Sequence, residues 1–348
     1  MRKIVKKNES YSKLMITEGA NTIVDEDSNF VMELPEWADE EKVKRAQKFL
    51  LLNMNAMARA MFFGMMAVLP VESLIKILIF TKQSSTPALA YRRFKANALH
   101  VQLWSQNPIK PGTLAWQSLH TVRKMHVVVN KRSTRADVGI VSQKDMAITQ
   151  FLFIGFSLLA PEMFGVVGSY EQLDALNHLW RLVGYMLGTQ DQFNACGETV
   201  EETQSRLQSI AEDMLVPGWK DPFPECLPYS KVTFDGLWTG TPTAHYDTTM
   251  FMIKRAIGVP GYYWFDSESS GFEEENRKLF EEMSLFTKFN IFLDIIIYEY
   301  LSHVFIFRWI FNVLRFFMAL LDVYPFLALI RFGKKYAIVE VMKKKKAN

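Results

Sequence analysis

Apolar residues recur three and four positions apart along most of the chain, and alternating strand-like stretches are scarce. That pattern predicts helices almost throughout. Pro35, followed by acids and then by Lys42, Lys44 and Arg45, opens the first long one, as the helix dipole prefers. Positions 49–69 are then apolar nearly everywhere except Asn53, Asn55 and Arg59. A run of about 20 apolar residues has the length of a membrane span, but a charge at its middle is costly in hydrocarbon, so Arg59 favours a core helix. Thr86 and Pro87 start another helix through Trp104, and a further one carries His120 and His126. Ser142 caps the next, Ser169 the one after, and 197–214 form a charged helix. Positions 216–245, rich in proline and aromatics, read as irregular, with His245 in a loop.

The C-terminal stretch has a different pattern. From Phe286 to Phe332 most positions are large and apolar, while Asp294, Arg308, Arg315 and Asp322 fall at multiples of seven. On one continuous helix those charges form a single stripe opposite a wide apolar face. Such a helix lies in the membrane interface rather than crossing it, with a long helix capping the core as the alternative. Lysines 343–346 follow, suited to an anionic leaflet and resembling a dilysine retrieval signal of the endoplasmic reticulum. The polar N-terminus carries no secretory pattern. The resulting division is 1–34 as a flexible lead-in, 35–285 as a helical domain, and 286–348 as a membrane-associated segment with a basic tail.

Composition narrows the class. A net charge of +3 and no basic stripe interleaved with aromatics give no sign of nucleic-acid binding. Two cysteines in no zinc or CxxC spacing suit a reducing, cytosol-facing compartment. Phenylalanine (27) and methionine (18) are abundant, which again favours helices.

Candidate chemistry gathers around Arg123 and His126, three residues apart on one helix. A neutral imidazole there can ligate a metal or haem iron, and a guanidinium can hold a carboxylate. The hexapeptide alone leaves open a helix-end histidine beside an exposed arginine. Arg92 and Lys95 repeat the spacing upstream, and His178 and Arg181 repeat it downstream.

Arg92 with Lys95, Arg123 with His126, the helix beginning at Asp145, and His178 with Trp180 and Arg181 together make the chain, over roughly 45–250, resemble the rubber oxygenases (latex clearing proteins) and the ER-bound oxygenase of mycophenolic acid biosynthesis. The resemblance implies an all-α, globin-like helical core with additional helices and a buried haem b. It makes His126 the axial iron ligand, Arg123 a propionate partner, and Lys95 and Arg92 distal-side catalytic groups. Glu72 is the acidic candidate nearest in order, and His178 a further cofactor-binding candidate. The family's threonine falls on Ala96, a departure that removes a hydroxyl. An apolar tunnel between 49–69 and 151–159 would admit the substrate. The implied function is oxygen-dependent attack on a C=C bond of a membrane-dissolved isoprenoid or other unsaturated lipid, at the ER membrane. The alternative is a non-enzymatic haem- or lipid-binding membrane protein that keeps the fold.

Overall fold

The computed structural model describes residues 5–262, 273–323 and 325–342. In chain order its helices are α1 (Glu9–Leu14), α2 (Glu40–Leu52), α3 (Met54–Ala67), α4 (Glu72–Phe80), α5 (Pro87–Gln106), α6 (Leu114–Arg135), α7 (Gln143–Leu159), α8 (Pro161–Phe164), α9 (Tyr170–Met186) and α10 (Val200–Ile210). They continue with α11 (Val216–Lys220), α12 (Cys226–Leu237), α13 (Tyr246–Ile257), α14 (Glu273–Glu282), α15 (Leu285–Ile295), α16 (Phe305–Val323), α17 (Phe326–Phe332) and α18 (Lys334–Ala337). Among the described residues there is no strand, only an isolated bridge between Ile23 and Ser142. The fold is all-α, as the pattern implies.

The starts follow the cap residues. Asp39 accepts the N–H groups of Glu41 and Lys42, Thr86 that of Leu89, and Thr113 that of Trp116. At α7, Ser142 and Asp145 form a reciprocal capping box.

The centre of the molecule is α3 against α7. Their backbones meet at Gly64, where a Cβ would lie 2.2 Å from the Leu152 carbonyl oxygen. The two segments expected to line an apolar tunnel therefore pack directly on each other, with Met66, Phe151 and Phe156 essentially inaccessible to solvent. Helix α9 lies on α2, α13 on α3, and α5 between α6 and α12. Dense packing of this kind leaves little free volume between the helices.

Three expectations change. The apolar run at 49–69 is not one helix: α2 and α3 meet at Asn53 with a 94° bend. The buried Asn53 side chain donates to the Phe49 carbonyl and accepts the Val167 N–H, bonds that compete with continuation of the helix. The segment 216–245 is largely helical, because α11 and α12 bury Trp219, Cys226 and Tyr229. Residues 7–15, within the stretch expected as a flexible lead-in, are tied to the body. Tyr11 donates its hydroxyl to the Phe193 carbonyl (3.0 Å), Lys7 pairs with Asp213 (2.9 Å), and Met15 is fully buried.

The C-terminal stretch is also broken. Helix α15 runs through a π turn (Ile296–Tyr300) and a 3-10 turn (Leu301–His303), and α16 leaves at 114° to it. Gly165 marks the reason: its left-handed φ of +69° and the absence of a Cβ let Ser302 pack against it, where a Cβ would sit 2.4 Å from the serine's own. Two buried ion pairs hold this stretch to the body. Arg59 on α3 forks onto Asp294 (Nη1–Oδ1 2.6 Å, with Nη2 on Oδ2), and Arg255 on α13 reaches Glu299 (2.6 Å). Arg59, expected to mark a core helix rather than a span, does lie in the core. The lysines at 343–346, with their dilysine pattern, lie outside the described residues, and so does the side chain of Asp322.

Candidate functional site

The α5–α6 hairpin carries the candidate residues. Its two helices are clamped near the loop by Ser118, whose hydroxyl accepts from Trp104 Nε1 (2.9 Å) and lies 2.7 Å from His100 Nδ1. The indole donates, and the hydroxyl keeps both its own proton and a second acceptor site, so neutral His100 satisfies the contact in either tautomer. Burial lowers the pKa of His100, which favours that neutral form.

Further along α6, Ala115, Leu119, Val122, Asn130 and Ser133 form the buried row, and His126 falls in it by helical phase. Its Nδ1 is buried and has no hydrogen-bond partner. A buried polar atom of this kind is rare, because leaving it unpaired costs roughly 1–3 kcal/mol. Desolvation pushes the His126 pKa down to about 4, with the charge of Arg93 adding to the depression and that of Asp25 opposing it. His126 is therefore a neutral imidazole at physiological pH, the form that ligates metals.

The sign of its pH linkage follows. The unfolded chain takes up a proton near pH 6.5, the folded chain only near 4. The contribution is complete above pH 6.5 and is lost as pH falls through that window, a swing on the order of 3 kcal/mol. We expect denaturant midpoints of the unliganded chain to fall between pH 6.5 and 4, and His126→Gln to flatten the slope relative to the parent. An unchanged slope in His126→Gln would contradict a neutral buried His126; His100 and His178, also shifted down, remain in both chains.

The arginine whose charge acts on His126 is Arg93. It is half-buried on α5, donates to Thr81 Oγ1 (3.3 Å), and its pKa is lowered by desolvation. No carboxylate of a described residue lies within ion-pair distance of it. Arg92, expected as a distal-side group, is exposed on the other side of α5, and Lys95 is half-buried one turn on. The signal was in the phase: Arg93 falls in line with Ala90, His100 and Trp104, which are buried, and Arg92 does not.

The remaining expected residues are placed elsewhere or already engaged. Arg123 is held in a fork by Asp25 (2.7 and 2.8 Å), with its guanidinium 4.4 Å over Phe30. Glu72 sits exposed at the start of α4, paired with Lys76 at 2.9 Å. His178 accepts the backbone N–H of Asp39 at Nε2 (3.0 Å) and meets Trp37 edge-on, so it fastens the start of α2. Ala96 is half-buried beside Lys95. Arg93 and Asp25 are thus the charged groups that act on the His126 pKa, in opposite directions. Glu72 and His178 are engaged with other partners, Lys76 and the Asp39 backbone.

The chain matches the family model described as ER-bound oxygenase mpaB/B'/rubber oxygenase, catalytic domain, over residues 48–225, just over half its length. The chain belongs to this family. The matched region runs from the end of α2 to the start of α12 and contains the whole α5–α6 hairpin. Among solved structures the chain is similar to latex clearing protein in the closed state, at 13% identity and a TM-score of 0.41, covering 81% of each chain. No curated protein matches it.

The family's oxygenases and the donor set can be compared directly. Among the described residues no three His, Cys, Asp or Glu side chains are grouped to hold a metal ion. A haem needs only one protein ligand to its iron and cationic partners for its carboxylates. The partnerless Nδ1 of neutral His126 fits the first need, and the half-buried Arg93 without a carboxylate fits the second. Arg123 fits only after release from Asp25. The residues fit a haem better than a bare metal ion.

Proposed function

We propose that this chain is a haem b-dependent oxygenase that acts on a carbon–carbon double bond of an isoprenoid or other unsaturated lipid dissolved in a membrane. The observation that carries the reading is the buried, partnerless nitrogen of His126 in an oxygenase-family chain. When bound, the haem supplies the redox chemistry with molecular oxygen that side chains lack.

The rest is the work of this chain's residues. His126 would hold the iron as a neutral imidazole. Arg93 would hold a propionate, with its cost of burial offset by that negative charge. Asp25 keeps Arg123 in place, and its negative charge opposes the depression of the His126 pKa. Lys95, two residues from Arg93 on the same helix, would hold a proton for the reaction with oxygen. Glu72 and His178 are assigned no part. The family's description includes ER-bound oxygenases, which supports an ER-membrane location with the main domain facing the cytosol.

The non-enzymatic reading is favoured by one observation, Ala96, which offers no hydroxyl beside Lys95. Products separate the two. Haemin-loaded full-length chain, mixed with squalene in liposomes under air, is expected to release carbonyl products detectable by mass spectrometry after hydrazine capture. Lys95→Ala should cut the yield tenfold or more, about 1.4 kcal/mol of barrier, while haem content is kept. A haem-loaded chain that yields none from squalene or other unsaturated lipids would leave haem or lipid binding as its role.

A further inference from the structure

The stretch from Leu285 to Leu320 is inside out. Four of its polar side chains bond into the protein: Asp294 binds Arg59 and Glu299 binds Arg255. Asn312 donates to the Leu52 carbonyl (2.7 Å) and accepts the Asn55 N–H (2.9 Å), and Arg315 donates to the Gly240 carbonyl (3.2 Å). The outward positions are instead large and apolar. Phe286, Phe289, Phe305, Trp309 and Phe317 are all more than half exposed, and Ile330 on α17 is 69% exposed. A helix capping a water-soluble core has the opposite arrangement. Apolar patches this extended mark a binding surface.

Shape and charge indicate what covers it. Among the described residues no single helix is long and apolar enough to cross a membrane, and α15 and α16 are bent by 114° into a wedge. Their buried ion pairs fix the polar side inward, so the wedge cannot turn over to bury its phenylalanines without breaking both. At its end Arg331, Lys334 and Lys335 are exposed, a cationic rim beside the apolar face. Trp309, large and amphipathic, is the kind of side chain that rests at a bilayer interface.

We infer that the outward face of α15, α16 and α17 seats the chain in one leaflet of an anionic bilayer. Its phenylalanines enter the acyl layer, and Arg331, Lys334 and Lys335 meet the headgroups. This rests on the membrane half of the proposed function and is independent of haem. It goes further by giving the surface, the one-leaflet mode, and the two internal ion pairs that hold the face outward.

The test is co-sedimentation of detergent-purified full-length chain, after dilution, with phosphatidylcholine vesicles with and without phosphatidylserine. We expect binding to both, stronger with phosphatidylserine. Trp309→Asp with Phe317→Asp should weaken it tenfold or more, with helical circular dichroism unchanged because both side chains are exposed. Lys334→Glu with Lys335→Glu should remove the preference for phosphatidylserine and spare binding to neutral vesicles. Quenching of tryptophan fluorescence by brominated lipid should fall in Trp309→Phe. Binding that survives the Asp pair would place the membrane contact elsewhere and overturn the assignment of this face. No vesicle binding at all would overturn the membrane reading itself. Self-association that the same pair dissolves, without lipid binding, would make the face an interface between copies of this chain.

Discussion

Arg59→Ala is expected to lower the stability of the folded chain by about 3–5 kcal/mol, the usual loss when one partner of a buried ion pair is removed. Arg59 and Asp294 side chains are 7% and 16% exposed, so little water reaches the carboxylate left behind. The guanidinium also lies 3.7 Å over Tyr298 and 4.2 Å over Phe63, contacts that are lost with it. The damage should start in α15 and the π turn, the elements that Arg59 pins to α3. Thermal unfolding in detergent should shift down by several degrees, and amide protection over 285–300 should fall first. Arg59→Met combined with Asp294→Leu should recover most of the loss, since an apolar pair removes the stranded charge. A single-variant loss below about 1 kcal/mol would mean the pair is solvated and does not clamp the segment.

His126→Ala is expected to abolish haem retention while the helical circular dichroism persists. The fold does not depend on the imidazole, because the hydrogen bonds of the described structure make no use of Nδ1. Removing the ring even relieves an unpaired buried polar atom, so stability near neutral pH should not fall by more than the small cavity costs. The other two buried histidines are already engaged and would not replace His126: His100 is bonded to Ser118, and His178 to Asp39. Arg93→Ala should weaken retention without abolishing it, because the iron ligand remains. Haem content equal to the parent's in purified His126→Ala would remove the axial role.

Much of this was legible in the chain, and what was not has identifiable causes. The caps at Asp39, Thr86, Thr113 and Ser142 act within three residues, so the sequence shows both halves of each bond. The phase of α6 likewise puts His126 in the buried row. The break at Asn53 depends on Val167, more than 100 positions away, and no local pattern carries it. The fork between Arg123 and Asp25 spans 98 positions, which is why Arg123 read as available to a carboxylate ligand. Arg92 was preferred to Arg93 by motif spacing, although the buried neighbours Ala90, His100 and Trp104 fix the phase on Arg93. The sevenfold stripe of Asp294, Arg308 and Arg315 assumed one straight helix, and the close approach of Ser302 to Gly165 bends it. The apolar outward face survived that error, because polar and apolar residues keep opposite sides in both arms of the wedge.

An absorption spectrum of the detergent-purified full-length chain, produced in cells supplied with haem precursor and recorded before and after dithionite, tests the haem assignment most directly. The expected result is a Soret band that shifts on reduction and is missing from His126→Ala prepared in parallel. A well-folded parent chain with no Soret band, even after addition of haemin, would contradict it and leave His126 as a buried histidine of the family fold.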